Sequence, residues 1–172
     1  MKHDVDVGRS WRSLTAIVLS GAGAVVFCLS LRADPGDPVP YPEGYRTWVH
    51  LKSTLIGPQS RFFATNGGLH HYYANDKAME GYRSGKFPDG SIVVDDLLEI
   101  KETDGASSEV ARRRLAVMVK DSKRFGDTGG WGFEVFKGDG REASLMTAKA
   151  RAACFVGCHT NAPDTVFTKF RQ

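Results

Sequence analysis

Near the end of the chain two thiols and an imidazole stand together, Cys154, Cys158 and His159, in a C-x-x-x-C-H pattern. The usual sequence for c-type haem attachment is C-x-x-C-H. Its logic is mechanical: two thiols add to the vinyl groups at one haem edge, and the adjacent histidine swings beneath the ring to ligate iron. Here the spacer is one residue longer, so the turn between the thiols is looser. The same residues also admit a local Cys154–Cys158 disulfide in an oxidising compartment, with His159 incidental. Zinc fits less well, because the fourth protein ligand is missing. The adjacent histidine favours haem, since a disulfide does not require it.

Other residues are candidates to surround a reacting centre. Arg46 and Glu134 pair a guanidinium with a carboxylate that can orient a polar ligand or take its protons. Their ordinary alternative is a solvated charge. His70 and His71 are further candidates on the ligand side, but on a strand they point to opposite faces, so at most one faces the centre. Phe62 and Phe63 suit either the wall of a dry pocket or plain core. Arg112, Arg113 and Arg114 read as a solubilising run, or as a dock for an acidic redox partner.

The elements that position these residues are legible from turn chemistry and alternation. Trp48–Lys52 alternates loosely and predicts a first strand, and the aromatic-rich Leu69–Tyr73 after Gly67-Gly68 predicts a second. Asn75 caps a short helix carrying Ala78, Met79 and Tyr82, stopped by Gly85 and Pro88. Pro88-Asp89-Gly90 is a turn, with Pro fixing one φ and Gly supplying a positive one. Ser91–Glu102 and Arg113–Lys120 are β-rich, the latter with Leu115, Val117 and Val119 on one face. Trp131–Lys137 alternates Trp131, Phe133 and Val135 against Gly132, Glu134 and Phe136, which puts Glu134 on the polar face. Glu142–Ala153, without Gly or Pro, predicts a helix running into Cys154. The order describes a single α+β domain, mainly antiparallel sheet with a few flanking helices.

Composition bounds the rest. At 172 residues, 41% hydrophobic and 25% charged, the chain is neither disordered nor polytopic. A net charge of +3 does not indicate a nucleic-acid partner. Lys2, Arg9 and Arg12 precede an uncharged run from Ser13 to Leu31, and Ala33 offers a cleavage position. Residues 1–33 therefore read as an export signal to the periplasm; left uncleaved, the run is long enough for an N-terminal membrane anchor. Residues 34–44 are a Pro-rich lead-in, and 45–172 form the functional domain. Once the signal is removed, Cys154 and Cys158 are the only cysteines.

Several stretches, in order, resemble the cytochrome P460 family. They are Gly44-Tyr45-Arg46-Thr47-Trp48, Tyr73-Ala74-Asn75, Gly85-Lys86-Phe87-Pro88-Asp89-Gly90-Ser91 and Val119-Lys120-Asp121-Ser122-Lys123-Arg124-Phe125. Thr128-Gly129-Gly130-Trp131-Gly132-Phe133 follows, then Cys158-His159 with Val166-Phe167-Thr168. The resemblance implies an exported homodimer with one covalently held haem c per chain, His159 as the axial iron ligand and an open distal side. It implies a small diatomic or nitrogenous ligand, nitric oxide or hydroxylamine, and a periplasmic electron-transfer partner. Members that oxidise hydroxylamine carry a lysine cross-linked to the haem; the matching position here holds His70-His71, and no lysine lies between Lys52 and Lys77. The similarity therefore extends to sister members that lack the cross-link and bind gases. Two other readings stay open: a haem-free β-domain with a Cys154–Cys158 disulfide, and a one-electron carrier with Met118, Met146 or His71 as second iron ligand.

Overall fold

The computed structural model describes residues 39–142 and 146–171. Residues 1–33, read from the sequence as an export signal, and the first part of the lead-in lie outside the described residues. The chain enters through a 3-10 turn, Tyr45–Thr47, and strand β1, Val49–Ile56. A single helical turn α1, Phe63–Asn66, leads to β2, Gly68–Ala74, and helix α2, Asp76–Ser84. Then come β3, Ile92–Thr103, β4, Ala106–Lys120, and β5, Trp131–Lys137. Helix α3, Ala148–Gly157, and two 3-10 turns, His159–Asn161 and Pro163–Thr165, complete the order.

The five strands form one antiparallel sheet in sequence order, a meander in which every strand pairs with its chain neighbour. Because side chains alternate across a strand, β3 feeds both faces at once. Val93 and Asp95 point to one face, Val94 and Asp96 to the other. On the first face Leu51, Ala74, Val93, Trp131 and Phe133 pack with Ala78, Met79 and Phe87 from α2 and the segment after it. On the second, Val94, Leu115, Val117 and Phe136 pack with Val39, Tyr45 and Phe125. Trp131, Phe136, Leu97 and Leu115 are fully buried, each contributing about 1.5–3 kcal/mol of apolar burial.

The expected strands are all present, and α2 is capped as expected: Asn75 accepts a hydrogen bond from the Ala78 amide, and Gly85 closes the helix with a φ of 80°. Three expectations need correction. The last helix starts at Ala148 rather than Glu142, because the Thr147 hydroxyl accepts from the Ala150 amide and sets the N-cap there. Phe62 and Phe63 are neither pocket wall nor core; Phe62 is the N-cap of α1 and Phe63 its first residue, at 50% and 41% exposure. Glu134 does not face solvent, because both sides of β5 are covered and the residue is 2% exposed.

Candidate functional site

α3 carries Cys154 in its last turn, and Cys158 follows at its C-cap, with the Cys158 amide donating to the Cys154 carbonyl at 3.2 Å. Residues four apart on a helix are neighbours on one face. The longer spacer thus closes a full α-turn and keeps both sulfurs on the same side. Both thiols are free and exposed. Burial, then the nearby Cys158 thiol, pushes the Cys154 thiol up, so it stays protonated near neutrality.

His159 opens the next turn. Its Nδ1 lies 2.8 Å from the Thr165 carbonyl. A carbonyl only accepts, so Nδ1 carries the proton and Nε2 presents its lone pair. The ring packs between Phe133 and Phe167, with centroids 4.7 and 4.9 Å away. Burial lowers the pKa of His159, against the opposing pull of the Thr165 hydrogen bond, and keeps the imidazole neutral and able to ligate a metal. The carbonyl is held by a constrained loop. Asp164 and Thr165 have φ of 42° and 62°, and the Asp164 carboxylate accepts from the Phe87 amide at 3.0 Å and from Lys120 Nζ at 3.1 Å.

The two cysteines and His159 line one cavity of about 440 Å³ on the first face of the sheet, a size within the range of small-molecule and cofactor sites. Met118, Phe133, Met146, Val166 and Phe167 supply its apolar wall, and Phe167 stays 55% exposed at the rim. Lys52, Asn66, Tyr72, Asp95 and Arg114 supply a polar wall. Burial, then the charge of Asp95, pushes the Tyr72 phenol up, so it remains a neutral O–H.

The family model for cytochrome P460 matches residues 42–168, a span that takes in the sheet, the cysteines and His159. The chain belongs to the cytochrome P460 family. No curated protein sequence matches it. It is a c-type cytochrome of the P460 kind, and membership implies haem c. The residues present fit that group: an apolar cavity, a neutral imidazole with a free Nε2, and two thiols on one helix face beside it.

The structure separates the other candidates of this P460 family member. Arg46 is on the opposite face from the cavity, its Nη2 3.0 Å from Asp96, whose side chain points away from that of the cavity-lining Asp95. Arg46 and Glu134 are therefore not brought together as a ligand-orienting pair. Glu134 borders the cavity on β5, but its Oε1 accepts from the Val135 amide and its Oε2 lies 3.8 Å from Arg151 of α3. His71 also faces away, with Nδ1 2.7 Å from the Ser53 hydroxyl and Nε2 3.2 Å from Glu109. His70 is on the cavity face, buried behind Asp95, with Nδ1 2.8 Å from Asp95 Oδ1. The arginine run divides: Arg112 binds Asp96 at 2.6 Å, Arg113 reaches the Gly67 carbonyl, and Arg114 enters the cavity wall.

Lys52, which the sequence reading did not place among the site candidates, also lines the cavity. The register of β1 against β2 slips between His50, opposite Tyr73, and Lys52, opposite Tyr72. Leu51 is the extra residue of a β-bulge, which re-aims the side chain that follows. Leu51 and Lys52 thus both face the cavity side, where strict alternation would separate them.

Proposed function

We propose that the protein is exported and carries one haem c per chain, joined to Cys154 and Cys158 and ligated by His159, with the other axial side open to nitric oxide or hydroxylamine. The observation that supports this reading is the one cavity lined by His159, both cysteines and an apolar wall. A haem with one open axial position supplies an iron that binds small ligands and changes oxidation state. The chain's own part is to fix the imidazole tautomer through Thr165, to hold the ring between Phe133 and Phe167, and to keep water from the apolar wall. Export to the periplasm, assembly as a homodimer and exchange of electrons with a periplasmic partner belong to the same proposal. Because His70-His71 stand where a cross-linking lysine is expected, the proposed activity is nitric oxide binding with little hydroxylamine oxidation.

One observation favours a second reading. Met118 and Met146 both border the cavity, and a thioether on the second axial side would make a one-electron carrier. The ferrous spectrum separates the two. The open-site reading predicts a high-spin five-coordinate spectrum that changes on adding carbon monoxide or nitric oxide and is lost in His159→Ala. A low-spin spectrum indifferent to carbon monoxide would assign the protein to electron carriage. Steady-state hydroxylamine oxidation with an artificial acceptor should be near background; sustained turnover would overturn the gas-binding assignment, and Lys52 would be the first lysine to replace.

A further inference from the structure

The polar wall of the cavity carries more positive charge than its carboxylates balance. Lys52 has no ion pair among the described residues; its ammonium rests 5.6 Å from the centroid of the Tyr72 ring. The bulge at Leu51 turns this side chain to the cavity face of the edge strand, where the residue stays exposed at the cavity wall. Beside it Arg114 donates from Nη1 to the Thr65 carbonyl at 3.1 Å and from Nη2 to Asn66 Oδ1 at 2.7 Å. Behind this wall His70 meets Asp95 through Nδ1 and the Asn66 carbonyl through Nε2, both at 2.8 Å. Both partners accept, so both ring nitrogens donate and the imidazole is a cation. Asp95 is the carboxylate of this group and is already engaged by His70, with Arg114 4.0 Å away. Glu134, the other cavity carboxylate, faces Arg151. Three cations thus stand against one carboxylate, and the one without an ion pair among the described residues is Lys52.

We propose that Lys52, with Arg114 on the same polar wall, forms a subsite in the cavity for a carboxylate or similar oxyanion. Two sources present that chemistry: a propionate of the haem, or a free inorganic oxyanion such as nitrite. The inference rests on the haem reading of the cavity, and a chain that loads no haem fails that reading before the subsite is tested. In the haem-loaded protein, Lys52→Gln and Lys52→Arg are compared by nitrite titration of the ferric form at low ionic strength and by reduction potential. For a free-anion subsite, Lys52→Gln weakens nitrite binding about tenfold or more, the loss of one charge-assisted hydrogen bond, and Lys52→Arg restores it. For a propionate subsite, nitrite affinity is unchanged, the potential falls in Lys52→Gln as a positive charge leaves the haem edge, and Lys52→Arg restores it. Unchanged affinity and unchanged potential in a haem-loaded Lys52→Gln protein would overturn the proposal.

Discussion

His159 and Asp96 are opposites in how a side chain is controlled. His159 is set by one backbone carbonyl, that of a β-branched residue in the left-handed region, a conformation that costs on the order of 1–3 kcal/mol and persists where the surroundings enforce it. The enforcement is visible in Asp164, tied at once to Lys120 and to the Phe87 amide. Asp96 is set by side chains. It is fully buried, with the Tyr45 hydroxyl donating at 2.6 Å, Arg112 Nε at 2.6 Å and Arg46 Nη2 at 3.0 Å. Burial pushes its carboxyl up, but the hydrogen bonds from Arg112 and Tyr45 outweigh burial and hold it below the usual carboxylate value. A lowered folded pKa gives stability that is complete above the ordinary value of about 3.8 and is lost as pH falls through the folded one. Asp96→Asn should cost about 3 kcal/mol at neutral pH and flatten the acid limb of the stability curve. Urea unfolding at a series of pH values measures both, and a variant with the wild-type acid limb would contradict this account of Asp96.

At the scale of elements, α3 and β1 do most to place the site. α3 begins where Thr147 caps it and ends where Cys158 leaves it, so the cap sets which residues fall on the turn that carries the thiols. Thr147→Ala should cost about 1 kcal/mol in chemical unfolding, and a cost near zero would show that packing alone defines the helix start. These elements also mark what the sequence made legible. The Asn75 cap, the Gly85 stop, the Pro88-Asp89-Gly90 turn and the alternation in β4 are local signals, and each survives in the fold because nothing distant competes with it. Cys154, Cys158 and His159 stand out in the sequence for the same reason, three reactive side chains within six consecutive positions. Lys52 was not readable, because its direction depends on how His50 and Lys52 pair with β2, some twenty residues away. Arg46 was misplaced beside Glu134 because its partner Asp96 is also non-local, fifty residues further along. Glu134 looked polar and outward, and only the covering of β5 on both sides makes it buried.

Over the whole molecule, the meander divides labour between its two faces. One face is closed by a fully buried carboxylate with two arginines and a tyrosine above an apolar cluster, which fixes the sheet. The other face keeps a cavity between the sheet and the C-terminal segment, lined by Cys154, Cys158 and His159 and, on its polar wall, by Lys52 and Arg114. Membership of the cytochrome P460 family implies haem c, and the cavity on this face is where the proposed haem would sit. The most direct measurement of this claim is the intact mass of protein produced in a host with c-type haem maturation, set beside Cys158→Ala and the retention of colour after acid–acetone extraction. The account predicts a chain heavier by one haem, with colour that stays with the protein and is lost from covalent linkage in Cys158→Ala. A colourless chain with a mass two hydrogens below the reduced form would contradict it and assign Cys154 and Cys158 to a disulfide.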